Sequence, residues 1–318
     1  MSAVLGLDTV DETRALNAEI EAKQSAMPPR ETVDPVELRP QRRDGTSVFP
    51  QTVFSPDAHW LEIPSRAGTL RLRVLAPKGE PRGAYLHIHG GGWVIGAADE
   101  SDVGLQAIAD EAGLVGVSVE YRLAPEDPYP AAQDDCEDAA LWLLEHGPSE
   151  LGVPPRYTIG GESAGGHLSA TTLLRLRDRH GITGAFAGAN LVFGVYDLSG
   201  TPSNRHFGDR PLVLTSSTMA WFADCYVPGV ELEAMREPDI SPLYADLRDM
   251  PPALFTVGTA DALLDDTLFM AARWRAAGNE ADLRVYAEGC HGFNAFPTAV
   301  GQLANAAQLA FLRDVVTP

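Results

Sequence analysis

Three cysteines, Cys136, Cys225 and Cys290, are all that 318 residues contain. They are too few and too scattered for a disulfide framework, and none forms a C-x-x-C pair of the kind that holds zinc or runs redox chemistry. A reducing, cytoplasmic setting is the expectation. Basic residues are scarce as well, 24 against 44 acidic ones, leaving a formal charge of −20. A field of that sign repels phosphate backbones and anionic lipid surfaces, so nucleic acid is not an expected partner and the acidic surface reads as a solvated one. No uncharged apolar run reaches the roughly 18 residues a membrane span needs. The opening MSAVLGLDTVDETRALNAEIEAK brings acidic residues where a signal peptide requires a basic start and an unbroken apolar stretch. Internal repeats and low-complexity tracts are absent too. What remains, 45% hydrophobic and 21% charged residues, is the composition of an ordinary folded protein with a sizeable core.

Asp8 to about Ser25 carries a helical pattern, with Val10, Leu16, Ile20 and Ala22 among acidic neighbours, and Pro28-Pro29 ends it. The segment RPQRRDGTSVFP then leads into strand-like periodicity. Trp60, Ile63, Leu70, Leu72 and Val74 alternate with polar residues around a turn at Ala67-Gly68, which predicts an edge hairpin. Beyond it, strands at 84–89, 115–119, 157–160, 189–193, 253–257 and 283–286 alternate with helices at about 101–112, 131–146, from 163, 263–277 and 301–315. That alternation predicts a mostly parallel sheet covered on both faces. The stretch 197–250, rich in proline and aromatic residues, breaks the rhythm. Residues 1–50 and 197–250 are therefore expected to form a cap over the carboxyl edge of a core built from 51–196 and 251–318.

Gly161-Glu162-Ser163-Ala164-Gly165 has the form G-x-S-x-G between a predicted strand and a predicted helix. The glycines permit a tight turn that exposes the serine. A hydroxyl needs a base with a pKa near 7, and His291, in a turn just past the last strand, is the best placed of eight histidines. His167 lies one turn into the helix after Ser163 and reads as a packing residue. His59, His146, His180 and His206 read as surface or loop residues. Asp261, after the strand Leu254–Val257, is the carboxylate expected to orient the base, while Asp265 and Asp266 are expected to cap or solvate the next helix. Consecutive glycines in His89-Gly90-Gly91-Gly92-Trp93 free backbone amides to turn toward a developing oxyanion.

Taken together, HGGGW, GESAGG, YRLAPE at Tyr121–Glu126, GTAD around Asp261 and HGF at His291 resemble the hormone-sensitive lipase family of α/β-hydrolase esterases over about residues 55–318. The resemblance implies an α/β-hydrolase fold, a mostly parallel central sheet flanked by helices and a helical cap. It also implies a triad of Ser163, Asp261 and His291, with oxyanion donors from Gly91, Gly92 and Ala164. Such relatives cleave small-molecule carboxylic esters without metal or cofactor, and many pair into homodimers through the sheet edge and last helix. Glu162 departs from the family's commoner aspartate and is expected to orient the loop. Tyr121, Arg122 and Glu126 are expected to brace it.

Trp93, Tyr196, Trp221, Phe222 and Phe293 are expected as pocket walls favouring small to medium esters. Three other readings are open on sequence grounds. An amidase, peptidase or lactonase would use the same triad; a metal hydrolase would use His87 and His89 with Asp134 and Asp135; a non-catalytic small-molecule receptor would be expected to lack the base that His291 supplies.

Overall fold

The computed structural model describes residues 3–317. The chain opens with β1 (Val4–Leu5), α1 (Val10–Ser25) and the short α2 (Pro35–Leu38). An antiparallel hairpin follows, β2 (His59–Ser65) and β3 (Gly68–Leu75), then β4 (Gly83–Ile88), α3 (Asp102–Ala112), β5 (Leu114–Glu120), α4 (Ala131–Glu150), β6 (Tyr157–Glu162), α5 (Ala164–His180) and β7 (Phe186–Val192). After α6 (Pro202–His206) and α7 (Ser216–Tyr226) the alternation resumes with β8 (Ala253–Gly258), α8 (Leu264–Ala276), β9 (Ala281–Tyr286) and α9 (Ala299–Val315).

The strands form one sheet in the order β1-β9-β8-β7-β6-β4-β5-β3-β2. From β1 through β5 every neighbouring pair is parallel, and only the β2–β3 and β3–β5 pairings are antiparallel. Sequence follows this geometry. Every residue of β4 and of β8 is buried, as strands covered by helices on both faces require, whereas β2 at the open edge is largely accessible.

Three boundaries differ from the sequence reading. Val4 and Leu5 pair with Val285 and Tyr286, and Leu5 O accepts from Ala287 N at 2.9 Å, so the chain's first described residues join the sheet rather than a cap. A two-residue strand is too short to show a period. The hairpin turn is Arg66-Ala67, since Ser65 pairs with Gly68. Helix α4 passes His146 to Glu150 with Pro148 inside it, near an end where one missing amide costs little.

The stretch 197–250 is tied to the helices around the sheet by side chains. Asp266 is not a solvated cap: it is wholly buried and accepts from Tyr196 N (2.7 Å), Asp197 N (3.0 Å) and the Thr201 hydroxyl (2.6 Å). Burial pushes its carboxyl up to about 7 against those donors. Asp265 accepts from Ser203 N at 2.8 Å. At the other end of the stretch Arg175 of α5 bridges Asp134, Glu137 and Asp239, locking α4 and α5 to the returning chain. The N-terminal segment reaches this stretch through Gln24, which accepts from Val213 N (2.8 Å), and the oxyanion-loop region through Arg39, which donates to Val94 O, Ala124 O and Glu126.

Candidate active site

Strand β6 enters the turn, α5 leaves it, and Ser163 sits between them at φ 58, ψ −119. An L-residue holds that conformation only where its surroundings over-determine it, at about 1–3 kcal/mol. They do so here. Ser163 N donates to Val192 O (2.9 Å), and the turn lies so close to β4 that a Cβ on either Gly161 or Gly165 would run into Ile88 O. The two glycines of the pattern are thus set by backbone approach.

Beyond β8 and β9 two loops converge on the same point. His291 Nε2 lies 2.9 Å from Ser163 Oγ, and His291 Nδ1 lies 2.9 and 3.1 Å from the two oxygens of Asp261. Asp261 also accepts from Leu263 N at 2.9 Å, which fixes its carboxylate. An ionised carboxylate can only accept, so Nδ1 carries the proton and Nε2 is free to accept from the serine hydroxyl. Asp261 and His291 are both buried. The Phe193 ring, at φ 36 just past β7, packs against the imidazole in a T shape with centroids 4.7 Å apart. Cys290, next to the base, is buried, and burial followed by the Asp261 charge pushes its thiol up to about 12, so it stays protonated and inert.

Across from the elbow, Gly91 (φ 116), Gly92 (φ 58) and Trp93 (φ 62) form a run of positive-φ residues. Among the described residues, no backbone acceptor receives the amides of Gly91, Gly92 or Ala164, whereas Gly91 O is taken by Val94 N and Ile95 N. The loop is held from beneath. Tyr121 donates to His89 O (2.9 Å) and stacks on the His89 ring at 4.1 Å, and burial lowers the His89 imidazole to about 3, so it stays neutral and donates from Nδ1 to Gly90 O. Arg122 pairs with Asp135, and Glu126 with Arg39. Glu162 meets His87 Nε2 at 3.0 Å, and His87 Nδ1 meets the Ser118 hydroxyl at 2.9 Å. This bridge ties the residue beside Ser163 to β4 and β5.

A family model described as the alpha/beta hydrolase fold matches residues 85–295. This chain belongs to that α/β-hydrolase family. The carboxylic ester hydrolase LipN of Mycobacterium tuberculosis is 33% identical to this hydrolase over 282 residues, covering 87% of this chain and 75% of LipN. Ethyl acetate hydrolase of Pseudomonas putida is 30% identical, covering 86% and 88%. Among solved structures, a hyperthermophilic esterase from the archaeon Pyrobaculum calidifontis superposes with a TM-score of 0.83 at 30% identity, over 94% of this chain and 98% of that one. The resemblance to hormone-sensitive lipase esterases read from the motifs stands with these matches.

The aromatic residues of the hydrolase divide into two sets. Trp93, Tyr196 and Phe293 are 1% exposed or less and enclosed by protein. Trp93 stacks on Tyr226 and donates to His167 Nδ1 (3.1 Å); Tyr196 packs on Phe255; Phe293 packs on Tyr286 and Phe193. His167, lowered to about 4 by burial, passes the contact on by donating from Nε2 to Ile240 O. Phe222, also buried, lies directly against Gly92, where a Cβ would collide with its ring, and the half-buried Trp221 packs beside it. Of the residues in the metal reading, Asp134 and Asp135 are engaged by Arg175 and Arg122, away from His87 and His89. Phe193 and Phe49, whose ring abuts Gly292 beside the base, went unnoticed in the sequence. An aromatic residue at a strand's carboxyl end was the available signal for Phe193.

Proposed function

We propose that this hydrolase cleaves small to medium carboxylic esters through an acyl-enzyme on Ser163. The observation that carries the reading is the unbroken chain of contacts from Ser163 Oγ through His291 to Asp261. In this scheme Ser163 Oγ attacks the ester carbonyl while His291 Nε2 takes its proton, and Asp261 stabilises the imidazolium. The Gly91, Gly92 and Ala164 amides receive the oxyanion, each worth roughly 3 kcal/mol. His291 then gives its proton to the departing alcohol. Water repeats the sequence on the acyl-enzyme, releasing the acid and restoring Ser163.

The esterase names of the relatives and the freely donating amides both support this reading. Segments 1–50, apart from β1, and 197–250 act as the cap, supported by the Gln24–Val213 link and by Phe222 resting on Gly92. A ring so near the oxyanion loop restricts the acyl group, in keeping with a relative named for ethyl acetate. No helix among the described residues is long and apolar enough to cross a membrane. Cytoplasmic residence, supported by three free cysteines, belongs to the same reading, as does pairing of two copies, which light scattering at graded concentration tests.

The deciding experiment compares p-nitrophenyl esters of two to twelve acyl carbons, with a matched anilide, on the wild type and Ser163→Ala. Turnover of the short esters, little of the anilide and none in the variant is the expected result. A wild type inert toward every ester, or a variant that keeps its activity, overturns the proposal.

A further inference from the structure

With 44 acidic side chains against 24 basic ones, a cation in this protein readily finds a carboxylate, and most arginines do. Two half-buried arginines do not. Among the described residues, neither Arg30 nor Arg42 makes a side-chain hydrogen bond or an ion pair, and Arg42 Nε is shut off from solvent without a partner. Both lie in the N-terminal segment, and each rests on an aromatic ring. The Arg30 guanidinium carbon is 5.8 Å from the centre of Phe222, and that of Arg42 is 5.5 Å from the centre of Phe49. Those rings abut Gly92 of the glycine loop and Gly292 beside His291, so each cation sits on a ring that packs on a candidate-site loop.

Nearby acids attract them through space but form no hydrogen bond or ion pair with them. Glu162 and Glu100 feel the Arg42 charge, yet Glu162 is bonded to His87 and Glu100 to Arg43. Glu31, next to Arg30, accepts from Thr218. Burial lowers the Arg30 guanidinium from its ordinary value, as expected for a cation stripped of water before its counterion arrives. A half-buried guanidinium whose donors meet no acceptor is under-satisfied, and a planar carboxylate is the group its forked donors match.

We propose that the natural substrates are esters that carry a carboxylate, received by Arg42 with Arg30 as a second anchor. This rests on the ester-hydrolase reading and names its substrate class. Such a carboxylate lies on either the alcohol or the acyl portion, and matched pairs distinguish the two. On the alcohol side 2-acetoxypropanoate is compared with 2-acetoxypropanamide; on the acyl side, ethyl hydrogen glutarate with its ω-carboxamide.

The wild type is expected to favour the carboxylate member of one pair by about tenfold or more in kcat/KM, expressed in KM, because charge-assisted bidentate contacts are among the strong ones. The preference should collapse in Arg42→Gln, persist in part in Arg42→Lys, and shrink with added salt. Each protein is judged by the ratio of two substrates, so a general loss of folded enzyme cancels. Equal or better use of both carboxamides by the wild type overturns the inference, as does a carboxylate preference that survives Arg42→Gln combined with Arg30→Gln. Turnover of p-nitrophenyl butyrate by the wild type reports separately on the ester-hydrolase reading itself.

Discussion

Trp93 and Tyr226 lie face to face, ring centroids 4.3 Å apart and planes 8° from parallel. Through this contact the end of α7 packs directly on the loop that carries the Gly91 and Gly92 amides. Tyr226→Ala is expected to cost about 3–5 kcal/mol by opening a cavity, and to lower kcat among the molecules that remain folded. Tyr226→Phe should be neutral or slightly stabilising, because the buried Tyr226 hydroxyl has no partner to lose. Urea unfolding of the two variants checks both statements.

The contacts among Ser163, His291 and Asp261 predict a steep loss at each of the three. Ser163→Ala and His291→Ala should each lower kcat by about 10⁴-fold or more, and Asp261→Asn by a comparable factor, since an asparagine that donates to Nδ1 imposes the wrong tautomer. Circular dichroism should find the fold of Ser163→Ala unchanged. Pre-steady-state release of p-nitrophenol, present in the wild type, should vanish with it.

Gly92→Ala puts a methyl group into the Phe222 ring and an L side chain at φ 58. The expected loss is about 10²–10³-fold in kcat, the cost of one misdirected oxyanion donor. Adding Phe222→Ala relieves the collision but leaves the backbone strain, so the double variant should recover part of the activity. Recovery of none would assign the whole defect to the backbone.

Asp266 gives a pH dependence with a definite sign. Its folded-state pKa, about 7, is above the ordinary 3.8, so the native protein holds a proton that the unfolded chain releases over that interval. The stability contribution is complete below about pH 4 and is lost as pH rises through about 7, with a slope of at most about 1.4 kcal/mol per unit. Asp266→Asn should flatten the difference between pH 5 and pH 8 in urea unfolding. Unaltered pH dependence in the variant would contradict the assignment.

The alternation of strand and helix was legible because the central parallel strands, β4 and β8 above all, are buried apolar runs and the covering helices repeat their apolar residues at helical spacing. Ser163, Asp261 and His291 were legible because each follows a strand at the sheet's carboxyl edge, and the structure does bring them together. Burial and partner were not legible. Tyr196, Phe293 and Phe222 are all buried aromatics, and only tertiary packing decides that the first two pack on Phe255 and Tyr286 while the third rests on Gly92. Asp266 looked like a helix-starting acid because three amide and hydroxyl donors from residues 196–201 cannot be foreseen from position 266. Val4 and Leu5 were invisible as a strand because pairing with β9, not any periodicity, makes them one.

Backbone posture at Ser163 sets robustness against reactivity. Glycine holds φ 58, ψ −119 with no side chain to resist it, so of all replacements at this point the one that deletes the hydroxyl altogether is the one the fold would welcome. A screen for thermal tolerance alone would favour that replacement, whatever it did to turnover.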